Sequence, residues 1–209
     1  MSDTNVYGLY RGLAESREPE TDNRVLVLKD LTEALETWDD LKFPASAINP
    51  PGTVGVPGRD TGDGCFLFDN VQTEILFCQA QMPHGWDEGT AVHPHVHWAK
   101  TTSAAGNVAW LLEYAIADVG GIFPAAFTSL GIKTTTVAGT PDTNEARKHL
   151  ITALGPIDMT GYKLSCMIKF KLSRIGGDAG DTYAADAKMF EFDVHYLKDA
   201  TGSTEEFTK

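Results

Sequence analysis

The chain has 209 residues, enough for one well-buried domain and short for two ordinary ones. With 42% apolar and 22% charged residues it can build a core, which excludes a disordered tail. Seventeen Lys and Arg against twenty-nine Asp and Glu leave a formal charge of -12, the wrong sign for a chain whose main partner is nucleic acid or an anionic membrane.

From the N-terminus, Met1-Ser2-Asp3-Thr4-Asn5 has neither the basic nor the apolar stretch of a signal peptide. No run approaches the roughly 20 apolar residues of a membrane span. Synthesis and retention in the cytoplasm are therefore expected. Residues 1–24 are polar and weakly periodic and read as an extended arm. One short helix is predicted over Asp30–Trp38: Asp30 and Glu33 are spaced as a capping box, and Leu31, Ala34, Leu35 and Trp38 share a face. Asp39 and Asp40, which follow, read as surface charge without a partner. Pro44 ends any helix, and the Pro- and Gly-dense run from Asn49 to Gly58 reads as an irregular loop. Arm, helix and loop make an N-terminal region over residues 1–60, ahead of a domain over 61–209.

From Cys65 onward the pattern is strand after strand. The predicted strands are Cys65–Phe68, Glu74–Gln81, Val92–Lys100, Val108–Ala117, Lys133–Ala138, Leu164–Arg174 and Met189–Leu197, with Arg147–Leu154 readable as strand or helix. In the last strand Phe190, Phe192, Val194 and Tyr196 are expected on one face, with Glu191, Asp193 and His195 on the other. About eight strands joined by Gly- and Asp-rich turns predict an all-β fold, an antiparallel β-sandwich of jelly-roll type with an irregular N-terminal arm. Cys65, Cys78 and Cys166 sit in apolar runs without C-x-x-C spacing and read as free core thiols.

The segment from Pro83 to Trp98 holds four of the six histidines and two of the four tryptophans. On a strand His93, His95 and His97 project to one face at steps of roughly 6.7 Å, so two neighbours can share a metal ion and all three cannot. A His/His/Glu set is conceivable with Glu113 from the following strand, and His195 offers a further imidazole. This is the alternative of a cupin-like His-metal enzyme. No spacing demands it: a cupin pattern places Glu shortly after H-x-H, where Thr101-Thr102-Ser103 stand here. The blander reading is a polar and aromatic layer within the sandwich or between subunits, with no cofactor. Pro94 removes a ladder donor and so marks an edge strand. The acidic Gly176–Asp186 stretch reads as a solvated hairpin loop, since it lacks EF-hand spacing.

Several pieces carry a resemblance: Trp38-Asp39-Asp40-Leu41-Lys42-Phe43-Pro44, the run from Gln81 to Trp98, and Gly106 to Tyr114. Asp181-Thr182-Tyr183 with Asp186-Ala187, Phe192-Asp193-Val194-His195-Tyr196, Gly202-Ser203 and Lys209 continue it in order. In these pieces the sequence resembles a group of mostly uncharacterised virion proteins of tailed bacteriophages. The resemblance implies a β-sandwich structural protein of the phage particle, with no catalytic residues. The expected function is a non-enzymatic, homo-oligomeric capsid decoration or cement protein, found in the virion after synthesis in the host cytoplasm. Its expected partners are copies of itself, as a trimer, and the major capsid protein or other virion proteins. A further alternative is a tail or neck module binding a receptor or glycan, with Trp86, Trp98 and Trp110 stacking on sugar.

Overall fold

The computed structural model describes residues 37–206. The expected arm and most of the expected helix, residues 30–36, lie outside the described residues. Its last residue does not fit a helix: Trp38 sits in β1 (Thr37–Pro44). That strand pairs antiparallel with β10 (Ala187–Lys198) from Thr37↔Lys198 to Pro44↔Glu191. Trp38 ends the predicted stripe of Leu31, Ala34 and Leu35, but it opens a segment in which Phe43 is the inward residue of a strand. There it stacks on Phe192 with ring centroids 5.5 Å apart, and tertiary packing overrides the local signal.

The strands between are β2 (Gly58–Arg59), β3 (Phe66–Phe68), β4 (Thr73–Gln81), β5 (His93–Lys100), β6 (Gly106–Ala117), β7 (Thr128–Val137), β8 (Leu150–Ala153) and β9 (Met167–Ile175). Single 3-10 turns lie at Ala45–Ala47 and Thr143–Arg147. The strands form two antiparallel sheets. One runs β2-β3-β10-β5-β8 with β1 also on β10, and the other runs β4-β9-β6-β7. The expected all-β antiparallel sandwich of jelly-roll type is the fold. It draws in β1 and β2, both of which precede residue 61.

The inward faces meet through aromatic rings. Phe43 and Phe192 from the first sheet contact Phe170 of β9 edge-on, at 5.8 and 5.3 Å. Phe68 and Trp98 contact Trp110 of β6 at 5.0 and 6.2 Å. These contacts fill the core by offset and T-shaped packing, each adding on the order of 1 kcal/mol beyond area burial. Cys166 belongs to this core, Cys78 packs partly against it, and all three thiols are free.

Two expectations about faces change. β10 has a bulge against β5 between Met189 and Glu191. Phe190 therefore leaves the face of Phe192, Val194 and Tyr196 and lies edge-on to His149 instead, at 6.3 Å. An extra residue flips everything beyond it. Nor is β5 an edge strand, for it is flanked by β10 and β8. The carbonyl of Pro94 accepts from Leu154 N at 2.9 Å, which puts its imino nitrogen on the β8 side. β8 ends at Ala153, so the missing donor costs one bond at the end of a short ladder.

Candidate functional site

The outer face of the first sheet carries the histidines. β5 contributes His93, His95 and His97 at alternate positions, and β10 contributes Asp193 and His195 in register: His93 opposes His195, and His95 opposes Asp193. β1 adds Asp40 opposite His195. His149, just before β8, completes the row. Two adjacent antiparallel strands with ionisable residues at i, i+2 thus build a polar strip from the pleat alone.

The centre of the strip is buried although the face is outward. His95 and Asp193 are 7% and 4% exposed. The imidazoles cover one another, with ring centroids of His195 and His95 at 4.3 Å, His95 and His97 at 4.8 Å, and His97 and His149 at 4.8 Å. His97 Nδ1 meets His149 Nε2 at 2.6 Å, and its Nε2 lies 3.2 Å from Asp193 Oδ2. His195 Nε2 lies 3.0 Å from Asp40 Oδ1. His95 Nε2 approaches Asp193 Oδ1 to 2.6 Å, yet that buried oxygen accepts no hydrogen bond of proper direction. The His95, Asp193 and His195 ligating atoms all lie within 4.8 Å of one another.

Electrostatics separates the two central imidazoles. Burial alone would pull His95 down, but the adjacent Asp193 carboxylate, helped by Asp40, leaves its pKa above the usual histidine value. For His97 burial wins: with His95 and His149 beside it, its pKa falls below the usual value despite Asp193.

A cavity of about 400 Å³ opens against this strip, walled by His93, His95 and His195 on one side and by Ile151, Ala153 and Pro156 on the other. Trp38 caps His93 edge-on at 5.3 Å.

The expected residues are thus only partly brought together. His95 and His195 converge. His97 reaches the far oxygen of Asp193, and His93 is exposed at the cavity wall. Glu113 does not join them, because it lies on β6 in the opposite sheet, ion-paired to Lys171 at 2.6 Å on that sheet's outer face. The hairpin that was expected to deliver it leads into the other layer of the sandwich. The carboxylate of the cluster is Asp193, legible in Phe-Asp-Val-His-Tyr as the residue two before His195.

Other side chains also take roles different from those expected. Asp39 accepts from Lys198 Nζ at 3.0 Å and Tyr196 Oη at 3.2 Å, so neither it nor Asp40 is unpartnered surface charge. Trp86, Trp98 and Trp110 are fully buried, which removes them as a sugar-stacking platform. The Gly176–Asp186 stretch is not simply solvated. Asp181 is buried against Arg174, with Nε–Oδ2 at 2.9 Å and Nη2–Oδ1 at 2.8 Å.

No protein-family model and no curated protein matches the chain. Among solved structures it is similar to the CBM35 from Cellvibrio japonicus Abf62, at 13% identity and a TM-score of 0.41, over 82% of this chain and 99% of that one. It is also similar to a family 35 carbohydrate binding module from an environmental isolate, at 11% identity and a TM-score of 0.40, over 81% and 99%. A third is the CBM36-1 domain of a multidomain xylanase from the hindgut metagenome of Trinervitermes trinervoides, at 8% identity and a TM-score of 0.39, over 75% and 96%. Overlap at this level says nothing about what the chain binds.

Proposed function

We propose that this chain is a non-enzymatic structural component of a tailed-phage virion, a homo-oligomer that decorates or cements the capsid. The observation that carries this reading is where the resembling segments lie. Trp38–Pro44, His93–Trp98 and Phe192–Tyr196 lie on β1, β5 and β10, neighbouring strands of one sheet. Asp181-Thr182-Tyr183 clamps the start of β6: Ala109 N donates to Asp181 Oδ2 at 3.0 Å, Asn107 N to Thr182 Oγ1 at 2.9 Å, and Tyr183 N to Asn107 O at 2.9 Å. The pieces that carry the resemblance brace strands, which supports a structural role.

We place the partner surface not on β5, which is internal, but on β8, an edge strand of that sheet, whose Ile151 is half exposed beside the histidine strip. Light scattering on the purified chain and electron microscopy of the particle test the reading. A mass of three times 22.7 kDa and density for this fold on the capsid surface are expected. A stable monomer at micromolar concentration, or purified particles without the chain, would overturn it.

A further inference from the structure

We propose that His95, Asp193 and His195 form a binding site for one divalent late transition-metal ion, of the Zn²⁺ or Co²⁺ class, which pins β5 to β10 on the outer face of the sandwich. Three observations converge. The ligating atoms already lie within 4.8 Å of one another. Tetrahedral donors roughly 2.1 Å from one ion sit about 3.4 Å apart, so side-chain rotation must draw the widest pair in by about 1.4 Å to close the set. Asp193, 4% exposed, presents an oxygen with no properly directed hydrogen bond 2.6 Å from a ring nitrogen of His95. A buried carboxylate oxygen whose nearest imidazole is poorly aligned for a hydrogen bond is undersatisfied, and a cation shared with the imidazoles would satisfy it. The remaining groups are arranged as an outer shell: His97 Nε2 reaches the other Asp193 oxygen at 3.2 Å, and Asp40 Oδ1 holds His195 Nε2 at 3.0 Å.

Two imidazoles and one carboxylate select a borderline ion over Ca²⁺ or Mg²⁺, which take oxygen sets. Three protein ligands leave a coordination position, and the adjoining cavity walled by His93, Ile151 and Pro156 is the open side. The site goes beyond the structural role proposed above and does not depend on it.

The test uses the full chain, stripped with chelator and titrated with Co²⁺ alone, then with Zn²⁺ in competition. One equivalent of Co²⁺ should give visible d–d absorption that Zn²⁺ abolishes and excess Mg²⁺ leaves unchanged, and Zn²⁺ should raise the melting temperature. His195→Ala, at the half-exposed member, and Asp193→Asn, which keeps the shape, should each weaken Co²⁺ binding by at least about tenfold and remove the Zn²⁺-dependent shift. His84→Ala should retain both, since His84 lies outside the cluster, bonded to Ser203. Absence of a saturable one-equivalent signal in the wild-type chain overturns the site, whether or not the variants fold. So does an unchanged signal in folded His195→Ala and Asp193→Asn, which would place the ion on other side chains.

Discussion

At the residue scale the most consequential side chain is Arg174, whose five N–H groups are all spent inside the protein. Two go to Asp181, one to Phe68 O, one to Ala185 O and one to Tyr183 O, each at 2.8–2.9 Å. A guanidinium with this many partners is stable where it sits, but each partner is indispensable. Asp181→Ala leaves a buried cation half-paired and should cost about 3–5 kcal/mol, a fall in melting temperature on the order of 10 °C for a chain of this size. Arg174→Met with Asp181→Leu together should cost less than Asp181→Ala alone, since no charge is then stranded; scanning calorimetry of the two variants decides it. The pair was hidden in the sequence by composition. Asp181 lies among glycines and another acid, and nothing local marks it as the partner of a residue seven positions earlier. Asp193 was hidden differently: its face was legible from alternation, but its partner depended on the register of β5 against β10.

At the element scale, alternation is the part of the fold that the sequence made readable. β4, β5, β6, β9 and β10 stand within a few residues of their predicted spans because one face of each is buried, so apolar residues recur at every second position. β1 was not readable, since Trp38 fitted the helical spacing of the residues before it and the adjacent Asp39 and Asp40 break strand alternation, and β2, with two residues, leaves no period to detect. The position of β5 within its sheet turned on which side the Pro94 nitrogen faces, which only pairing decides. Where strands meet loops, steric fit replaces pattern. At the start of β6, Gly106 has φ of 150°, and a Cβ there would lie 2.5 Å from Tyr183 Cα and 2.7 Å from Thr182 O. Gly106→Ala should destabilise by about 1–3 kcal/mol, because backbone rather than a movable side chain stands in the way. Gly120→Ala, with φ of 78° and open space around it, should cost only about 1 kcal/mol of backbone strain. Urea midpoints with unchanged slopes would confirm the difference, and equal costs would show that the clamp on β6 gives way.

At the scale of the whole molecule, the two sheets share one aromatic core, and Cys166 is embedded in it without exposure. Burial pushes its thiol up to about 12, and it raises Cys65 and Cys78 as well. Only thiolate reacts, so at pH 8 Cys166 should stay unmodified by a thiol reagent in the native chain, and three thiols should titrate after denaturation. Labelling of Cys166 at the rate of the half-buried pair would mean the sandwich opens locally. β10 organises one whole sheet, with β5 along one side and β1 and β3 end to end along the other. It also follows in the chain every strand it joins. During synthesis, then, β1 emerges from the ribosome with nothing to pair against, β3 and β5 have only the short β2 and β8, and more than a hundred residues separate β1 from its mate. Sheet closure must come after translation has passed β10, slowly, because loop closure over such distances precedes any gain from pairing. Until then the edge of β5 that faces β10 waits as an exposed template for another nascent copy, so yield in an expressing cell should hinge on how fast the last strand arrives.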